Sequence, residues 1–170
     1  MRRKYKKLTT PILAALIFAA SFGLLVGCAK DVSYGDVKSF HFGEAGYPSY
    51  YSVDIELQED GTYRFISEGF SDESGIYGTD LFAGKQGEIP KKEMERLAQV
   101  IKEYNLDSWD GFNKEAKGVL DGNGFTLEIE YTTGKGISAT GYMKWPKNYD
   151  KARDALYSVL HDIVESYSQL

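Results

Sequence analysis

The chain has 170 residues, with 20 basic and 25 acidic side chains, a net charge of −5 at pH 7 and an aromatic content of 14%. That balance lacks the positive surface that phosphate backbones require, so nucleic acid is not an expected partner. A single cysteine rules out an intramolecular disulfide, and any fold must rest on its core.

The first 27 residues carry Arg2, Arg3, Lys4, Lys6 and Lys7 and no acid, followed by a mostly apolar run from Ile12 to Val26. A basic start, a short apolar stretch and small residues at its end describe a signal peptide. An uncleaved anchor helix would need roughly twenty apolar residues, more than this run supplies. Arg2-Arg3 lacks the apolar residues that should follow a twin-arginine pair, so the general secretion route is expected. The run closes on Leu25-Val26-Gly27-Cys28, which resembles the lipobox of bacterial lipoproteins. That resemblance implies diacylglyceryl transfer to the Cys28 sulfur and cleavage between Gly27 and Cys28. It also implies a protein held by lipid on the extracytoplasmic face of the cell membrane.

The expected organisation is therefore a signal peptide over residues 1–27, a lipidated cysteine with a short tether over 28–36, and one domain over 37–170. Loss of the leader takes 5 basic residues from 20, leaving 15 against 25 acidic ones, a net charge of −10 on 143 residues. Such a body is repelled by anionic headgroups, so acyl chains rather than surface charge must hold it to the bilayer. The eight-residue tether from Ala29 to Asp36 reaches about 28 Å at most.

Within the domain, Val37 to Phe42 reads as a first strand with Lys38, Phe40 and Phe42 on one face, broken by Gly43 to Pro48. Tyr51, Val53, Ile55 and Leu57 alternate with polar residues, and Asp60-Gly61 turns the chain into a partner strand from Thr62 to Ser67. The glycine-rich stretch Glu68 to Ile89 is too long for a structureless loop, and a strand is expected near Tyr77 to Ala83. Pro90 opens a helix whose stripe is Met94, Leu97, Ile101 and Tyr104, with Asn105 as its stop. Leu106 to Asn123 looks irregular, with Trp109 and Phe112 tucked against the domain. Phe125, Leu127, Ile129 and Tyr131 form another alternating strand, and Thr132 to Gly136 turns it into Ile137 to Met143. After Trp145-Pro146, a helix from about Tyr149 to Tyr167 carries Tyr149, Ala152, Leu156, Val159, Ile163 and Tyr167 on its core side.

The two halves resemble each other: Val53-Asp54-Ile55-Glu56-Leu57 matches Leu127-Glu128-Ile129-Glu130-Tyr131. A duplicated strand-strand-helix unit and a chance likeness of hairpins both fit. Either way the expectation is an α+β fold, an antiparallel sheet of two β-hairpin-helix units with two helices packed on one face. In style the domain is similar to small uncharacterised domains borne by bacterial lipoproteins.

Catalytic parts are sparse. His41 and His161 are the two histidines, no nucleophile elbow occurs, and the cysteine is committed to lipid. No metal or cofactor is expected, since zinc spacing is missing and Asp107 to Gly111 and Asp121 to Gly124 read as turns. The carboxylates of Asp54, Glu56, Glu128 and Glu130 fall on an outward strand face, where no cleft is expected. What remains is an aromatic binding surface, for which Trp109, Tyr142 and Trp145 are the candidates. The leading expectation is a non-catalytic binding or accessory module of the cell envelope, with an envelope protein or glycan as partner. The rival is a small carboxylate-dependent hydrolase using Asp72, Asp80, Asp107 or Asp110.

Overall fold

Alternating apolar residues build most of the molecule, because a strand that buries every second side chain needs one covering layer. The computed structural model describes residues 37–46, 49–70 and 79–167. The leader, Gly27, Cys28 and the tether lie outside these described residues. Seven strands form one sheet: β1 (Val37–Gly46), β2 (Ser49–Leu57), β3 (Tyr63–Phe70), β4 (Lys85–Ile89), β5 (Asn113–Glu115), β6 (Gly124–Tyr131) and β7 (Gly136–Tyr142). Their order is β4-β3-β2-β1-β6-β7-β5. All neighbours are antiparallel except β5, which runs parallel to β7, so the sheet is mixed rather than purely antiparallel. Two helices, α1 (Lys91–Glu103) and α2 (Tyr149–Glu165), complete an α+β fold.

One face of the sheet is covered. Phe40, Phe42, Val53, Ile55, Phe65, Leu127 and Ile129 share a core with Met94, Leu97 and Ile101 of α1 and Leu156, Leu160 and Ile163 of α2. The two helices are also clamped to each other by Arg96, which donates to Glu93 on its own helix and, at 2.7 Å, to Asp162 on α2. The Arg96 guanidinium holds the Asp162 carboxyl below its ordinary range.

The central strand departs from simple alternation. A register shift between Val37 and Ser39 marks a bulge, which lets Val37, Phe40 and Phe42 all turn inward while Lys38 faces Glu130 in solvent. Lys38 therefore does not share a face with Phe40 and Phe42. The strand also continues through Gly43 to Gly46 instead of breaking there. Both neighbours meet β1 in matched register, since Phe40 pairs with Ile55 and Ile129, and Phe42 with Val53 and Leu127.

The segment after β3 differs from expectation as well. A 3₁₀ turn occupies Thr79–Phe82, and the extra strand follows it at Lys85–Ile89, not at Tyr77 to Ala83. Phe82 is fully buried against Tyr51 and Tyr157, and Gly84 turns the chain with a φ of 62°. Helix α1 starts after Pro90 and stops where Asn105 takes the left-handed conformation, as its sequence implies.

Candidate functional site

Both helices sit on the core face, and among the described residues no element covers the opposite face of the sheet. Its side chains fall into three cross-strand rows. The first runs Phe70, Tyr50, Ala45, Gly124, Tyr142. Next to it lies Ser52, Gly43, Thr126, Thr140, Asn113. The third is Ile66, Asp54, His41, Glu128, Ser138. Small residues in the middle of the first two rows leave a trough, and the larger side chains around them raise its rim.

That trough is a cleft of about 480 Å³ lined by His41, Gly43, Tyr50, Ser52, Thr126, Thr140 and Tyr142 among others. It continues past Ala45, Tyr50, Gly124 and Tyr142 into a second hollow of about 470 Å³ bordered by Leu120 and Asp121. Either volume falls within the roughly 300–1,000 Å³ typical of small-ligand sites. The outward strand face, where no cleft was expected, thus carries one. Sequence reasoning missed it because the depression comes from Gly43 and Ala45 of β1 being aligned with Gly124 of β6. Alignment is a property of register, and one strand's pattern does not reveal it.

The rim is held in place. Tyr50 stacks on Phe70 with ring centroids 6.5 Å apart and an interplanar angle of 24°. The Tyr142 hydroxyl donates to the Leu120 carbonyl at 3.1 Å, which fixes its ring at the far wall. Three inter-strand steps separate the two tyrosines, a span of about 14 Å. At one end, His41 lies directly between Asp54 and Glu128, and its Nδ1 is 2.7 Å from Asp54 Oδ1. His41 Nε2 leans over Gly43: a Cβ there would be 3.5 Å from Nε2 and 3.2 Å from the Ser52 Cβ.

Aspartate, histidine and serine are close neighbours here, but the strand beneath them supplies no oxyanion donors. β1 is hydrogen-bonded on both sides, so its amides are used by the sheet and offer no donors for a developing oxyanion. Losing such donors costs about 10²–10³ in rate. No Ser52 to His41 hydrogen bond occurs among the described residues.

The three aromatics singled out from the sequence do not come together. Trp109 is 2% exposed and packs between Phe125 and Tyr149 in the core, so it offers no face to a ligand. Its indole nitrogen has no hydrogen-bond partner. Burying a ring of 150–250 Å² contributes about 4–6 kcal/mol, which outweighs the roughly 1–3 kcal/mol cost of that orphan donor. Trp145 is 39% exposed but stacks on Tyr149 of α2, away from the trough. Only Tyr142 lines the cleft.

The carboxylates of the hydrolase reading fare similarly. Asp107 accepts the Tyr131 hydroxyl at 2.7 Å, and Asp110 accepts the Ser138 amide at 3.1 Å, so both fasten the segment before β5. Asp72 and the Asp80 side chain lie outside the described residues. One grouping with metal-ligand character, His161, Asp162 and Glu165, sits on α2 with its ligand atoms within 4.8 Å of one another. Arg96 already occupies Asp162 there, which offsets the charge a cation would seek. No helix among the described residues is long and apolar enough to cross a membrane. No protein-family model matches the chain, and no curated protein matches it in sequence.

Proposed function

We propose that this protein is a lipid-anchored, extracytoplasmic binding module of the cell envelope, and that the open-face cleft is its binding element. The observation that carries the binding half is the one-sided build of the domain. Two helices serve the core face, while the other face keeps a cleft of about 480 Å³ between aromatic walls. Nothing in the packing of the core requires that trough, since its floor residues Gly43, Ser52, Thr126 and Thr140 all lie on the face away from the helices. The anchoring half rests on Leu25-Val26-Gly27-Cys28 and the basic, apolar leader before it.

Two experiments test the halves separately. Fatty-acid labelling of cells making the full chain should tag the protein, and Cys28→Ala should abolish the label and leave the leader attached. Label persisting on the alanine variant refutes the anchor. For binding, wild-type protein in detergent is compared with Gly43→Leu, which fills the trough, on immobilised envelope glycan and envelope protein fractions. Retention lost in the leucine variant supports the cleft, whereas equal retention rules it out.

We further read the two hairpins as copies of one strand-strand-helix unit. Support comes from register, because Val53 and Ile55 on one side of β1 pair with the same residues as Leu127 and Ile129 on the other.

A further inference from the structure

The chemistry of the trough points to a ligand class, and we propose that it binds an uncharged oligosaccharide laid between Tyr50 and Tyr142. This rests on the binding-module reading and names its ligand.

The walls come first. Tyr50 is 44% exposed, with Phe70 stacked behind it, so one ring face is backed and the other is free toward the trough. Tyr142 is fixed at the opposite wall through its hydroxyl. Two phenol rings borne on strands about 14 Å apart suit a ligand with repeated flat apolar faces, as pyranose rings have. The Phe70 contact of Tyr50 and the Leu120 hydrogen bond of Tyr142 restrict the rings before binding, which lowers the side-chain entropy lost.

The floor separates a glycan from a peptide. An extended peptide gains affinity by main-chain pairing with an open sheet edge. Here the floor of the trough lies over β1 and β6, interior strands bonded on both sides, and the sheet edge at its border, β5, is only three residues long. Recognition over the floor must pass through side chains. Ser52, Thr126 and Thr140 present hydroxyls and Asn113 an amide, groups that both donate and accept, as sugar hydroxyls do.

Charge narrows the class further. Asp54 and Glu128 flank His41 just beyond one end, Glu115 stands beside Tyr142 at the other, and Lys114 of the lining places its Nζ 5.3 Å from the centroid of the Phe112 ring. These carboxylates accept hydrogen bonds from hydroxyls and repel phosphate or uronate groups. An uncharged glycan satisfies walls, floor and border together.

The test titrates the full-length chain in detergent with a panel of short uncharged β-linked oligosaccharides, with uronate oligomers of equal length, and with a lysine-rich peptide. Calorimetry should show saturable binding of uncharged sugars, weakened about tenfold by Tyr50→Ala. Tyr50 is at the surface, so that variant keeps its fold, and circular dichroism verifies it. The uronates should bind at least tenfold more weakly. Equal affinity for uronates overturns the proposal, as does sugar binding that Tyr50→Ala leaves unchanged. Binding of the peptide alone, lost in Tyr50→Ala, overturns the glycan while sparing the binding module. Failure of every probe, together with equal retention of wild type and Gly43→Leu on envelope fractions, sinks both.

Discussion

At the scale of single residues, Glu44 does the most for its size. Its two carboxylate oxygens accept the hydroxyls of Tyr51 at 3.0 Å and Tyr149 at 2.6 Å, joining the end of β1 to the first turn of α2. Both tyrosines are nearly buried, so losing the acceptor leaves two phenol hydroxyls to find other partners. Glu44→Ala should cost about 2–4 kcal/mol in denaturant unfolding, and Glu44→Gln clearly less, since the amide oxygen still accepts. The same site sets an alkaline limit. Burial pushes both phenols well above their ordinary value of 10.0, and the charge and hydrogen bonds of Glu44 push the same way. Folded protein therefore keeps protons that unfolded chain releases above pH 10, so stability is intact below that pH and falls as pH rises through it. Tyr51→Phe with Tyr149→Phe should flatten this alkaline loss in thermal melts; an unchanged slope would exclude these tyrosines as its source. Neither bond was legible in the sequence, where Glu44 sits in what looks like a glycine-rich break. The tyrosines were legible only as apolar positions.

At the scale of elements, what sequence could show was set by periodicity. β2, β3, β6, β7 and both helices each carry an unbroken repeat of buried residues, and each appears where that repeat places it. β1 was half legible, because a bulge after Val37 resets its alternation. β4 was displaced in the reading because Lys85-Gln86-Gly87-Glu88-Ile89 has a glycine where a side chain should pack. The structure supplies the reason: a Cβ on Gly87 would collide with the ring of Tyr167, which crosses β4 to pack edge-on against Phe65, 5.1 Å between centroids. Two effects compete in Gly87→Ala. Alanine favours a strand by about 0.5–1 kcal/mol. Displacing the Tyr167 ring forfeits an aromatic pair worth about 0.5–1.5 kcal/mol, along with its buried area. The collision should win, making Gly87→Ala destabilising by about 1 kcal/mol in the native sequence. In a Tyr167→Ala background the sign should reverse, and a stabilisation of about 0.5–1 kcal/mol is expected from the propensity term alone. A double-mutant cycle by urea unfolding measures both, and additivity would refute the clash.

For the whole molecule, charge and anchorage bear on each other. The chain from Cys28 onward has 15 basic residues against 25 acidic ones. Its open face carries several of these acids, with Asp54, Glu56, Glu128 and Glu130 exposed and Lys38 paired to Glu130. An acidic body of this kind lowers its free energy by moving away from an anionic leaflet, and salt weakens that repulsion instead of removing an attraction. Under the proposed anchorage, stable membrane residence then comes from acyl chains on Cys28. One chain gives a binding constant of only about 10⁴ M⁻¹, whereas two give stable anchoring. The consequence is a particular salt response. Washing membranes that carry the protein with concentrated salt should leave it in the pellet, since no electrostatic bond is there to screen. The Cys28→Ala protein, freed of its leader by an engineered cleavage site, should stay in the supernatant with anionic vesicles at any ionic strength. Release of the native protein by salt would mean that a charged patch holds it.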